Sequence, residues 1–184
     1  MYLEPDQKII LYAIGALEEP LKSKIKLQKL FFLVSNVFKD LNDIFEFEPH
    51  LFGPYSEELD NSSLELIKLG LVEKKGSSFI LAEKGYNYFN ELKPKKELKK
   101  VICDFKDFLN DIPDDEILTF VYVFYPDYID ESSKWDKLKK DRVKFALDLL
   151  KNDKISFSKA AKISGESFSE FEMITQKNRI RWRS

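Results

Sequence analysis

"HLFGPYSEELDNSSLELIKLGLVEKKGSSFILAEKG", residues 50–85, is the stretch on which the reading of this chain turns. Gly53-Pro54 punctuates its start, and Ser56 stands where a helix N-cap belongs. Glu57, Glu58 and Asp60 follow, acids suited to the positive end of a helix dipole. The helix is predicted to run to about Leu69, with Ser62 and Glu65 at the spacing of a second capping box. Leu66, Ile67 and Leu69 are expected to pack inward, and Gly70 is placed as the C′ residue. "LVEKK" and "FILAE" read as two strands joined through a loop containing Gly76. "AEKGYNYFNEL" opens a further helix.

The sequence upstream completes a pattern. "DQKIILYAIGAL", residues 6–17, places Ile9, Ile10, Ala13, Ile14 and Leu17 on one helical stripe. Pro20 closes it. Ser23 is the predicted N-cap of "KIKLQKLFFLVSNVFKDL", which is apolar at Leu27, Leu30, Phe31, Val34 and Phe38. Lys22, Lys24, Lys26 and Lys29 cluster at its start. Phe45 and Phe47 alternate with acids and read as a short strand. Helix, helix, helix, hairpin is the order of a winged helix-turn-helix. Such a domain lays its third helix in the major groove and its hairpin against flanking phosphate.

With "KIKLQKLFFLV", "HLFGPYSEEL" and "LIKLGLVEKKGSSFILAEKG" in one segment, the chain resembles prokaryotic winged-helix regulators. In many of these an "L…GLI" run precedes the wing and an "LTEKG"-like helix start follows it. More specifically, it is similar to a group distantly like the Panacea (SocA-type) antitoxin domain, which carries an "LQKL" helix and a later Gly-Pro turn. The resemblance covers roughly residues 6–90. It implies a winged helix that acts as a DNA-binding transcriptional regulator or antitoxin-like autoregulator.

Downstream of "KPKKELKK" the chain reads as helical, and a boundary is expected near Pro94. "ELKKVICDFKDFLNDI" has one apolar face. Pro113 with Asp114, Asp115 and Glu116 is a helix opening. "EILTFVYVFY" is apolar nearly all round, as in a buried helix. "SKWDKLKKDRVKFALDLLK" reads as one helix with Ser133 and Asp136 at capping-box spacing.

"ISFSKAAKISGESFSEFEMIT", residues 155–175, has the order of a helix-turn-helix: Ala161, Gly165, Phe171, Ile174. This end resembles small helix-turn-helix proteins, often antitoxin-like, that accompany PIN-domain toxins. It departs from a DNA reader in carrying Glu166, Glu170 and Glu172. The expected fold is thus mainly α with a small β-hairpin. A winged helix over 1–93 precedes a helical connecting region over 94–152. A helix-turn-helix with a basic tail occupies 153–184.

Of the 184 residues 43% are hydrophobic and 34% charged, ordinary for a globular protein, and 16 are Phe. Net charge is −2, so any DNA contact must come from local patches. From residue 151 on, eight basic residues face four acids, giving +4, and the tail interleaves Lys177, Arg179, Arg181 and Arg183 with Ile180 and Trp182. One cysteine (Cys103) and one histidine (His50) leave no internal disulfide and no ordinary zinc set. No nucleophile–base pair, P-loop or dinucleotide fingerprint is present. Asp114/Asp115 and Glu57/Glu58 sit at helix starts, where the dipole accounts for them. No catalysis, metal or cofactor is expected. "MYLEPDQKII" lacks the basic region and apolar run of a signal peptide, and no apolar stretch could span a bilayer. A cytoplasmic protein without membrane contact is the expectation.

Two uses of the scaffold follow. For double-stranded DNA, Lys22, Lys24, Lys26, Lys29, Lys68, Lys74 and Lys75 would hold phosphates while Asn61, Ser62 and Ser63 read bases. The tail residues Lys177, Arg179, Arg181 and Arg183 would add grip, and a homodimer is expected, since one weakly basic unit would hold poorly. For a protein partner such as a toxin, Glu166, Phe168, Glu170, Met173 and Trp182 are the candidate contacts. The family resemblance leans toward DNA.

Overall fold

The computed structural model describes residues 2–182, so Arg183 of the expected tail lies outside the described residues. The chain is mainly helical with one two-stranded antiparallel sheet. It divides into two compact units. The first holds the chain up to Glu48 together with Pro54–Asp111; the second holds Pro49–Gly53 and the chain from Ile112 on.

In the first unit, α1 (Pro5–Gly15) is followed by a 3-10 turn, Ala16–Glu18. Helix α2 (Lys24–Val37) begins where Ser23 Oγ accepts from the Lys26 N–H at 3.1 Å, as its N-cap position predicts. It is buried without a break from Lys26 to Ser35, which makes it the central helix of this unit. The expected continuation through Phe38 breaks: Phe38 is extended and α3 (Lys39–Phe45) restarts from it. In place of the short strand expected at Phe45–Phe47, Phe45 ends α3, Glu46 turns left-handed (φ 42°) and Phe47 follows outside helix and strand. These two rings pack edge-on against Phe31 (4.9 Å) and Phe32 (5.5 Å). Aromatic burial, rather than strand pairing, explains their spacing.

Helix α4 (Glu57–Lys68) is capped by Ser56 Oγ, which accepts from Leu59 N–H at 3.0 Å, and runs through Ser62 without a restart. Gly70 follows it at φ +69°, in the left-handed conformation its C′ place predicts. Strands β1 (Val72–Lys75) and β2 (Ser78–Leu81) pair in register Val72↔Leu81 to Lys75↔Ser78. Leu21 adds a single antiparallel bridge to Phe79. Helix α5 (Glu83–Glu91) starts so close to the sheet that a Cβ on Gly85 would lie 2.0 Å from the Leu71 carbonyl oxygen.

Helix α6 (Lys96–Asp111) belongs with this first unit, not with a connecting region beginning at residue 94. Its Lys106 and Asn110 explain why. The Lys106 ammonium donates to the carbonyls of Ile14, Ala16 and Glu19 at 2.7, 2.6 and 2.7 Å. The Asn110 amide donates to Pro20 O at 2.8 Å.

In the second unit, α7 (Asp114–Phe124) opens after Pro113 and buries Ile117, Leu118, Val121 and Tyr122 almost completely. It packs against α8 (Trp135–Leu138), α9 (Arg142–Lys151) and α10 (Phe157–Ser164). The single helix expected from residue 133 to 151 is thus two. Ser132, not Ser133, holds the turn before it, its hydroxyl accepting from the N–H groups of Lys134 and Trp135 at 3.1 Å each. Gly165, at φ +83°, leads into α11 (Phe168–Lys177). Among the described residues no helix is long and apolar enough to cross a membrane.

Candidate functional site

Helix α4 turns Leu59, Ser63 and Leu66 inward at i, i+4, i+7 spacing. Its outer face carries Glu57, Glu58, Asn61, Leu64, Glu65 and Lys68, all exposed. Leu64, 40% exposed, stands among three carboxylates and one lysine. Polar contacts fix the helix at its edges. Gln7 Nε2 donates to Glu65 at 2.8 Å, and Ser62 Oγ donates to Asp6 at 2.5 Å. The Tyr55 hydroxyl donates to Asp60 at 3.0 Å, and Lys24 pairs with Asp60 at 2.7 Å. Burial pushes the Tyr55 hydroxyl pKa up, and its bond to Asp60 adds to that. Burial alone would lower Lys24, but Asp60 carries its ammonium above the ordinary lysine value.

The lysines expected on phosphate sit differently. Lys26 is 6% exposed and Lys29 2%. Lys26 donates to the carbonyls of Leu109 (2.7 Å) and Asn110 (3.2 Å), at the end of α6. Lys29 donates to Pro54 O at 2.8 Å. Lys22 is exposed, yet its ammonium also donates to Asn110 O, at 3.0 Å. These cations satisfy carbonyls that a helix end or a turn leaves open. Ser63 is likewise buried, its hydroxyl donating to Leu59 O at 2.6 Å. Lys26, Lys29 and Ser63 are corrected from DNA contacts to interior groups. Asn61, Lys68, Lys74 and Lys75 remain exposed, with Lys74 lying 5.0 Å over the Phe79 ring.

Gln28, overlooked in the sequence, joins the two quoted motifs. Its side-chain oxygen accepts from Ser56 N–H at 2.9 Å, and its amide donates to Ser56 O at 3.0 Å. With Lys29 on Pro54, the "LQKL" helix therefore clamps the "GPYS" turn that starts α4. The available signal was a run apolar on every side, Leu27 to Val34, which marks a central helix. A polar side chain inside it has to find its partner within the protein.

In the second unit the turn between α10 and α11 is held by Arg142. Its Nε donates to Ile163 O at 2.6 Å and its Nη2 to Lys162 O at 2.9 Å. Ser167 and Glu170 form a capping box, so Glu170 completes a helix start; these bonds hold its carboxyl below the usual range. Glu166 is exposed. Phe168 (56%) and Met173 (62%) are also exposed, although the Phe168 ring meets Phe157 at 4.6 Å. Trp182 is not a free tail residue. It packs on Phe157 at 4.2 Å, and Ile180 N–H donates back to Thr175 O at 3.0 Å. Lys177, Arg179 and Arg181 are exposed around that returning turn.

Among the described residues no group of three or more His, Cys, Asp or Glu is placed to hold a metal ion. No family model, curated protein or solved structure matches the chain.

Proposed function

We propose that residues 5–91 form a winged helix used as an antitoxin-like protein-binding module, with α4 facing a basic protein partner. The third strand position occupied by Leu21 against Phe79, between α1 and α2, supports the winged-helix reading. The observation that carries the functional reading is the outer face of α4: three carboxylates around an exposed Leu64. Electrostatic complementarity of that kind speeds encounter and excludes wrong partners.

DNA comes first from the sequence alone; the placement of the lysines moves the balance. Of the six that would flank α4, Lys22, Lys26 and Lys29 donate to the protein's own carbonyls, and Lys24 is paired with Asp60. Lys74 and Lys75 are left, with Lys68 on α4 itself. Three phosphate contacts give a salt slope of only about −3, against about −10 for a strong DNA binder.

The test combines two measurements on the full chain. Anisotropy with a mixed-sequence duplex at about 50 and 200 mM salt is expected to show only weak binding with a shallow slope. A photo-crosslinker at Asn61, in cells of the source organism, is expected to capture a basic protein, and Glu57→Lys with Glu58→Lys to abolish capture. Tight, steeply salt-dependent DNA binding that Lys74→Glu with Lys75→Glu removes would return the wing to DNA and refute the proposal.

A further inference from the structure

The second unit carries a surface groove of opposite character. Helix α9 forms one wall, and the end of α11 with the turn after it forms the other; the space between is about 840 Å³. Its floor is aliphatic. Val143 and Leu147 face it from α9, and Ile174 and Ile180 from the other wall; all four are only half-buried. Among the described residues, four cations line the same groove, Lys144, Lys151, Arg179 and Arg181, against one carboxylate, Asp148.

The far wall is built. Asn178 Nδ2 donates to Ile174 O at 2.8 Å, and Ile180 N–H donates to Thr175 O at 3.0 Å. Arg179 takes a left-handed φ of 55°, which turns the chain back. Trp182 then anchors the segment on Phe157. The position of Arg179 and Arg181 is thus set by packing on both sides of them.

We propose that this groove binds an acidic amphipathic helix of a partner protein. Aliphatic side chains spaced i, i+3, i+4, i+7 would fill the floor, and carboxylates on either flank would meet the four cations. A nucleic acid fits less well. Cations suit phosphate, but among the described residues no aromatic side chain lines the groove to stack a base, and the half-buried aliphatic floor would stay uncovered. The inference does not rest on the reading of α4, since it uses other residues in the other unit.

The experiment uses the full chain and a fluorescein-labelled helical peptide of about 14 residues, Leu at i, i+3, i+4, i+7 and Glu elsewhere. Saturable binding is expected, weakening as salt rises. Lys144→Glu with Lys151→Glu, both on the exposed rim, should weaken it at least about tenfold, the effect of roughly 1.4 kcal/mol. Leu147→Glu, checked by circular dichroism for an unchanged fold, should do the same. A Leu/Lys peptide and a scrambled Leu/Glu peptide should bind far more weakly. The proposal is overturned by any of three results: no saturable binding of the Leu/Glu peptide, equal binding of the scrambled peptide, or unchanged affinity in the rim variant. A single-stranded oligonucleotide that outcompetes the peptide, and itself depends on Lys144 and Lys151, would assign the groove to nucleic acid instead.

Discussion

Replacing Lys106 with methionine should destabilise the first unit by about 3 kcal/mol, from three opened acceptors at about 2 kcal/mol each less roughly 3 kcal/mol for the cation no longer buried. The side chain is fully buried, and its ammonium donates to three carbonyls: Ile14, Ala16 and Glu19. Those carbonyls belong to the end of α1 and to a turn in which Leu17 (φ 63°) and Glu18 (φ 55°) are both left-handed. Removing the donor leaves the buried Ile14 and Ala16 carbonyls and the part-buried Glu19 carbonyl open, at about 1–3 kcal/mol each. An offset comes from no longer burying a cation. Burial lowers the Lys106 pKa from 10.5 to about 8, against the opposing pull of Glu19. At about 1.36 kcal/mol per unit this returns roughly 3 kcal/mol. The net loss remains, and it falls on a turn that non-glycine residues hold only when the surroundings demand it. The wild type and Lys106→Met would be compared by urea unfolding near neutral pH. The pH dependence adds a second signature. A lysine depressed in the folded state binds fewer protons there than when unfolded, so it makes wild-type stability rise with pH from about 8 toward 10.5. The variant should lack that component. A loss below about 0.5 kcal/mol, with identical pH profiles, would refute the assignment of Lys106 as the clamp of this turn.

Other perturbations test other joints of the structure. Burial pushes the Glu116 carboxyl from 4.5 up to about 7, Asp148 adding to the shift and Lys144 opposing it. Stability therefore falls as pH rises through that window, and Glu116→Gln should melt later at about pH 8 by the equivalent of 1–2 kcal/mol, after allowing for solvent screening. At about pH 4.5 the two proteins should melt together. Gly85→Ala drives a Cβ to within 2.0 Å of the Leu71 carbonyl and should cost more than about 2 kcal/mol in denaturant midpoint; Gly70→Ala, with open space but φ +69°, should cost about 1. Trp182→Ala removes the contact with Phe157 and should accelerate tryptic cleavage after Arg179 and Arg181, with little change in circular dichroism.

Local signals in the sequence read well where a short-range rule decides the structure. Ser23, Ser56, Gly70 and Gly165 each take the cap or turn position their chemistry suggests, because capping needs only neighbours three or four residues away. Signals that depend on distant partners read poorly. Phe45 and Phe47 look like a strand because they alternate, yet their rings answer to Phe31 and Phe32 on another helix. The boundary at Pro94 fails to divide the units because α6 is tied to the α1–α2 connection by Lys106 and Asn110. Lys106 itself was visible as an ionisable residue set on a stripe with Ile102 and Leu109. A lysine one turn from each of two buried aliphatics starts from the buried face, and where its stem does not carry the ammonium out to water it has to meet acceptors inside.

That same argument governs the functional reading. A lysine-rich helix start invites a phosphate interpretation only if its cations are free, and freedom is a property of the fold. Each helix C-terminus leaves open carbonyls, and a buried one needs donors from elsewhere in the chain. Lys26 supplies them to α6, Lys106 to the end of α1, and Arg142 to α10. Formal charge counts these three as surface cations, whereas structurally each is a long-reach cap. Removing such groups from consideration leaves α4 with an acidic outer face and the α9–α11 groove with a basic lining. Neither sign is visible in a net charge of −2, which sums 30 basic and 32 acidic residues over the whole chain. The charge that matters for recognition is what remains exposed after the helix ends have been satisfied, and it takes opposite signs on these two surfaces.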